Sequence, residues 1–204
     1  MRRGSPVKRE RVLSDDEIRA VWKAAEANGQ YGAFVRLALL TAQRRDKIAS
    51  MKWEDVSADS TWTIATEARE KGNPGELALP PAALEIIKAQ HRIESCPYVF
   101  YGRGNTHMNG WSKAKRQFDA KLNGVDAWTV HDLRRTARSL MARAGVASNI
   151  AERVLGHAIA GVEGVYDRHP YRDEKSQALL ALAALIDSIA NPKANVVRLK
   201  RRRG

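Results

Sequence analysis

Apolar residues recur along this chain at two periods, and the switch between them divides it. After Ser14, residues Ile18, Val21, Trp22 and Ala25 stand three to four apart, the spacing of one helix face. In front of them Ser14-Asp15-Asp16-Glu17 places a hydroxyl three residues before a glutamate, which predicts a capped helix start. Asn28-Gly29 ends that helix, and a second is predicted from about Tyr31 to Thr41, with Phe34, Leu37, Ala38 and Leu40 apolar. Over residues 60–80 the period changes. Thr61 to Ala65 is strand-like, Lys71-Gly72-Asn73-Pro74-Gly75 is a turn cluster, and Leu77-Ala78-Leu79-Pro80 is a return strand. A β-hairpin with Lys71 at or near its tip is expected. From Pro81 on the pattern is helical, apart from a loop at Cys96–Gly110. His131 to Gly145 is amphipathic, with Leu133, Ala137, Leu140, Met141 and Ala144 as its buried stripe, and further helices are predicted over Ala147–Leu155 and Lys175–Ala190. The class is α+β, mostly α, with one small antiparallel sheet.

The ends differ from the middle. Residues 1–13 are polar, basic and broken by Pro6, and read as a linker; 14–190 reads as one globular domain; 191–204 is a basic tail whose charge run, Arg198–Arg203, is expected to be disordered.

Charge narrows the partner. Lys and Arg total 35 against 23 acids in 204 residues, a formal net charge of +12. That balance favours a polyanion, nucleic acid ahead of an anionic membrane surface. The single cysteine, Cys96, rules out an internal disulfide framework or a Cys-rich zinc site and fits a reducing cytoplasm. No apolar run approaches the roughly 20 residues of a membrane span, and the basic start Met1–Pro6 has no apolar stretch behind it, unlike a secretory signal.

Several chemistries are disfavoured by their missing patterns. There is no phosphate loop ending in Lys-Ser/Thr; Gly102-Arg103-Gly104 lacks the third glycine of a dinucleotide fingerprint; His-Glu-x-x-His is absent, as is a carboxylate cluster for two-metal phosphoryl transfer. What stands out is His131-Asp132-Leu133-Arg134. Positions i and i+3 share a helix face, so His131 and Arg134 point together, opposite the Leu133 stripe. A histidine moves protons and an arginine grips phosphate oxygens in pairs; the plain alternative is a solvated face carrying both by chance. Leu155-Gly156-His157 reads as a helix end that presents His157 at a turn, or as a histidine satisfied in the core. Tyr166 follows nine positions later, flanked by Val165 and Asp167-Arg168-His169, and taken alone reads as structural.

Taken in order, these residues resemble the tyrosine recombinases, the phage-type integrases. Thr41-Ala42-Gln43-Arg44 resembles that family's Thr-Gly-x-Arg at a helix end. Lys71-Gly72-Asn73 with Leu79-Pro80 behind it resembles the family's hairpin lysine. His131 to Arg134, Leu155 to His157, and Tyr166 nine residues on reproduce its His-x-Leu-Arg, Leu-Gly-His and tyrosine. The likeness runs from about Ser14 to Ala190; Thr41–Arg45 and the ending Asn195–Leu199 are most similar to integrases of prophages and genomic islands. There are departures. Ala42 stands at the family's glycine. Three residues after the arginine, where the family carries a bracing acid, this chain has Lys47 with Asp46 beside it; either Asp46 substitutes or the brace is missing. The family's separate N-terminal DNA-clamping domain is absent, which is why residues 1–13 read as a linker from it.

The resemblance implies a mechanism. Arg44 and Arg134 hold the non-bridging oxygens of a scissile phosphate, Tyr166 attacks phosphorus to give a 3′-phosphotyrosine, His131 is the base, Lys71 is the acid for the 5′-hydroxyl, and His157 hydrogen-bonds the phosphate. No metal, cofactor or ATP is implied. Tyr171, with the wrong spacing from His157, is the rival nucleophile. Arg45, Lys113, Arg116 and Arg135 are expected to bind DNA. The partners implied are double-stranded DNA attachment sites in the bacterial cytoplasm, at the nucleoid, with a tetramer on DNA and a monomer without it. The helix over 175–190, with Leu179, Leu182, Ile186 and Ile189 on one stripe, either packs in its own domain or docks on a neighbouring protomer. Two alternatives stay open: a type IB topoisomerase with the same residue logic, and a homologue that grips DNA without cutting it.

Overall fold

The computed structural model describes residues 10–67, 72–157 and 169–192. In order, its elements are α1 (Asp15–Glu26), α2 (Gly29–Thr41), α3 (Arg45–Ala49), a 3-10 turn (Trp53–Asp55), β1 (Thr61–Thr63), β2 (Glu76–Ala78), α4 (Pro81–Lys88), α5 (Trp111–Asp119), α6 (Val130–Arg143), α7 (Ser148–Leu155) and α8 (Arg172–Ala190).

The expected cap starts α1. The Ser14 hydroxyl accepts from Glu17 N at 3.3 Å and Ser14 N donates to Glu17 Oε2 at 2.8 Å, so two of the orphan donors of the first turn are satisfied. Glu17 does more than cap. Its carboxylate is ion-paired with Arg11 and accepts from Asp126 N at 3.1 Å. The bond from Arg11 outweighs burial and, with the main-chain donors, holds the Glu17 carboxyl down at about 2.

Helix α2 is the axis of the molecule. Tyr31, Phe34, Val35, Leu37, Ala38, Leu39 and Leu40 are all buried, and a helix apolar around its circumference is a central one. It touches α1, α3, α4, α6 and α8. It starts at Gly29 rather than near Tyr31. Close packing on α1 depends on Gly32, where a Cβ would lie 1.9 Å from Ala25 O.

The hairpin forms with shorter strands than expected. β1 and β2 are antiparallel, with Thr61 opposite Ala78, Trp62 opposite Leu77 and Thr63 opposite Glu76. Beyond the ladder, Asn73 joins the two limbs: its amide donates to Ile64 O at 3.1 Å and Ala65 O at 3.0 Å, and its Oδ1 accepts from Gly75 N at 2.7 Å. Lys71 lies outside the described residues.

Three helical expectations change. The region after Pro81 is less helical than its pattern: the loop at 96–110 is as expected, but α4 stops at Lys88, and residues 89–95 and 120–129 also lie outside helices. Pro97 and the left-handed glycines Gly104, Gly110 and Gly124 explain the breaks. α6 starts one residue early and ends at Arg143, with Ala144 only half-buried as its C-cap and Gly145 left-handed. α8 begins at Arg172, not Lys175. Its stripe of Leu179, Leu182, Ile186 and Ile189 is buried and packs on α1, α2, α6, α7 and β2 of this chain. That stripe is core, so it is not the face that would reach a neighbouring protomer.

Candidate active site

The site assembles where the ends of α2 and α7 meet the start of α6. Ala42 closes α2 in the left-handed region, φ 55°. An L side chain adopts that region at a cost of roughly 1–2 kcal/mol, which accounts for a glycine in the related motif. The reversal lets Arg44 leave the axis of α2, with extended backbone, and cap α3. Arg44 is half-buried and donates from Nη1 to Gly72 O at 3.3 Å, on the hairpin. α3 itself was not legible as a helix.

Arg134 is 5% exposed, so it does not lie on a solvated face opposite Leu133; α6 is covered on both sides. Its guanidinium donates from Nη1 to Ala42 O at 2.7 Å and from Nη2 to Leu155 O at 2.7 Å. These bonds compensate a charge whose burial would otherwise be costly. One arginine thereby ties the α2 reversal to the end of α7. His131, one turn earlier, is exposed at the mouth of the same cleft. The cleft has a volume of about 530 Å³, and Gln43, Arg44, Trp111, Lys115, His131 and Arg134 are among the residues lining it. Partial burial, then the positive charges of Arg135 and Arg134, push the His131 imidazole below its ordinary value, against a smaller opposing effect of Asp132.

Gly156 caps α7 in the left-handed region, φ 68°, as the Leu-Gly-His pattern led one to expect. All four last carbonyls of α7 find donors. Glu152 O accepts from His157 N and Arg153 O from Gly156 N, each at 3.0 Å. Val154 O accepts from Gln43 Nε2 at 2.7 Å, and Leu155 O from Arg134. This completeness fixes the turn that carries His157. The His157 ring lies with Nε2 3.0 Å from Arg134 Nη2 and Nδ1 2.5 Å from Glu152 Oε2.

The structure thus brings Arg44, His131, Arg134 and His157 together. Tyr166, like Lys71, lies outside the described residues. Tyr171 does not line the cleft; it caps α8 with φ 50°, under the Arg153 guanidinium at 3.9 Å. Arg45 lines the cleft, paired with Asp46 at 2.8 Å and 5.6 Å over Trp111. Lys113 and Arg116 are exposed on one side of α5, and Arg135 donates to Asp132 at 2.6 Å.

At the position of the family's bracing acid the structure holds a buried lysine tied to the hairpin. Asp46 is exposed beside Arg45. Lys47 is 8% exposed, and its ammonium donates to Ala65 O at 2.7 Å and pairs with Glu67 at 3.0 Å. The acid comes from the hairpin and the base from the helix. On the return limb, Lys175, 5% exposed, donates to Pro74 O at 2.7 Å, and Arg172 pairs with Glu76 at 2.6 Å. Sequence reasoning missed Gln43, Glu152 and Lys175. Gln43 stood next to a singled-out arginine, whereas Glu152 and Lys175 carried no local signal.

The architecture is that of tyrosine recombinase catalytic domains. It matches a lambda integrase dimer bound to a COC′ core site with a TM-score of 0.59 at 21% identity, covering 77% of this chain and 61% of that one. It matches the integrase of mycobacterium phage Brujita with a TM-score of 0.62 at 19% identity, covering 94% and 67%. The phage integrase family model matches residues 11–171, and the chain belongs to that family. The prophage integrase IntZ of Escherichia coli K12 is 28% identical over 184 residues, 88% of this chain and 46% of IntZ. The chain spans about half the length of the curated relatives it matches. Among the described residues no helix is long and apolar enough to cross a membrane.

Proposed function

We propose that this chain is the catalytic part of a site-specific DNA recombinase that cuts and rejoins strands through a 3′-phosphotyrosine at Tyr166. The observation that carries this reading is the convergence of Arg44, His131 and Arg134 on one cleft, with His157 3.0 Å from Arg134. Two arginines and a histidine make a cradle for the equatorial oxygens of a phosphodiester, whose negative charge grows in the transition state.

The Tyr166 oxygen attacks phosphorus, the P–O5′ bond breaks, and a P–O bond to tyrosine forms. An ordinary tyrosine has a pKa near 10 and needs a base. His131 accepts its proton; the depressed imidazole is neutral at pH 7 and able to do so. Lys71 gives a proton to the departing 5′-oxygen. Because the phosphoester bond is exchanged rather than hydrolysed, the reverse step rejoins strands with no energy source. Arg45, Arg135, Lys113 and Arg116 contact the DNA backbone around the site. The substrates are double-stranded attachment sites at the bacterial nucleoid, and the working assembly is a tetramer on DNA. A related solved structure is a lambda integrase tetramer bound to a Holliday junction.

The second reading is a homologue that binds without cutting, favoured by Lys47 at the acidic position. A duplex from the protein's own genomic flank, nicked beside the cleavage point so that the short product diffuses away, separates the two. The recombinase reading expects a covalent protein–DNA adduct that accumulates with time. Binding without an adduct supports the second reading, and relaxation of plasmids of any sequence points to a topoisomerase.

A further inference from the structure

Glu152 sits in the second half of α7, with each carboxylate oxygen engaged. Oε1 accepts from Arg138 Nε at 2.8 Å, and Arg138 in turn donates to Ser148 Oγ at 2.8 Å. Oε2 faces Nδ1 of His157 at 2.5 Å. Burial raises the Glu152 carboxyl, but the bonds from Arg138 and His157 prevail and hold it below its usual range, so it is ionised at neutral pH.

The other side of the His157 ring fixes the proton. Arg134 Nη2, 3.0 Å from Nε2, is a donor only, so Nε2 offers its lone pair. In the neutral ring the proton is therefore on Nδ1, donated to Glu152. A chain of bonds runs from Arg138 through Glu152 and His157 to Arg134. It bypasses the motifs of the sequence, because Glu152 is five positions before His157 and meets it only through the Gly156 turn.

We propose that Glu152 is a positioning residue of the cleavage reaction, holding His157 by Nδ1 so that Nε2 faces the phosphate site; this rests on the recombinase reading above. Nδ1–H stays on Glu152 and Nε2, 3.0 Å from Arg134 Nη2, stays on the side of the cleft arginines, so the carboxylate sets which edge of the ring meets the phosphate site. The arrangement parallels the carboxylate that orients a catalytic histidine in hydrolase triads and stabilises its charged form. Nearby groups that orient a ligand's second nitrogen have measurable effects in other histidine sites.

The test compares the parent chain with Glu152→Ala and Glu152→Gln. Nitrogen-15 NMR of labelled histidines reads the tautomer, and the nicked duplex reads the adduct rate. The parent should show His157 as Nδ1–H. Glu152→Ala should mix in the Nε2–H form and slow adduct formation by about tenfold or more. Glu152→Gln, which keeps a carbonyl to accept from Nδ1–H, should hold the tautomer and recover part of the rate. A parent His157 with its proton on Nε2, or an Ala variant that forms adduct at the parental rate, overturns the proposal. If Glu152→Ala does not fold, the Gln variant decides: the Nδ1–H tautomer retained with adduct formed more slowly than in the parent supports the proposal, and loss of that tautomer or adduct at the parental rate overturns it. If no protein forms an adduct, the recombinase reading fails, while the tautomer still judges whether Glu152 sets the ring.

Discussion

Gly156 and Pro74 are packed so closely that a Cβ on Gly156 would lie 2.3 Å from Pro74 Cδ. The end of α7 and the return limb of the hairpin are therefore one joint, with His157 following Gly156 on one side and Asn73 preceding Pro74 on the other. Gly156→Ala meets two penalties, the left-handed backbone and the clash, and should lower stability by about 2 kcal/mol or more. In a double-mutant cycle read by denaturant unfolding, Pro74→Gly should recover only the part of the clash made by Cδ, because Pro74 N at 2.5 Å and Asn73 C at 2.9 Å remain. Additive effects of the two substitutions would mean the contact carries no energy.

Arg134 has a structural duty besides its proposed grip on the phosphate. Arg134→Ala strips Ala42 O and Leu155 O of buried donors, at about 1–3 kcal/mol for each orphaned group. Urea unfolding should show this variant well below parent stability, with Arg44→Ala less affected. Equal stabilities would contradict the brace assigned to Arg134.

Acid should loosen the N-terminal helix through Glu17. Its carboxyl is depressed to about 2 from an ordinary 4.5, so the folded state favours the ionised form. The stability this contributes is full above pH 4.5 and is lost as pH falls toward 2. Thermal melts should show a steeper loss across that window for the parent than for Glu17→Gln. Parallel pH profiles would dismiss the pairing with Arg11 as a contributor.

Lys47 holds the outgoing limb of the hairpin by Ala65 and Glu67. If that limb sets the Lys71 arm, Lys47→Met should slow cleavage of an ordinary phosphodiester about tenfold. A substrate with sulfur at the bridging 5′ position, whose leaving group needs no proton, should cleave at nearly the parental rate. An equal defect on both substrates would assign Lys47 to general stability instead.

Much of this site is legible in the sequence. The Ser14–Glu17 cap, the hairpin and the Gly156 turn follow from local chemistry that few residues can satisfy, and His131 and Arg134 share the cleft as their spacing required. What escaped depended on contacts distant in sequence. Arg134 reads as a surface residue until α7 covers it, and Lys175 reads as a solvated charge until Pro74 O is found at 2.7 Å. α3 is five residues, too short to display a period. The irregular stretch at 120–129 escaped because its apolar residues pack from a loop: Trp128 is buried, and Leu122 and Val125 pack against the core, without a helix to space them.

The central claim is that Tyr166 becomes bonded to DNA. Trapped adduct from the nicked duplex, digested with nuclease and protease and sequenced by mass spectrometry, locates the nucleotide remnant directly. The account predicts it on Tyr166, with no adduct from Tyr166→Phe. A remnant on Tyr171, or an adduct that persists in Tyr166→Phe, would contradict it.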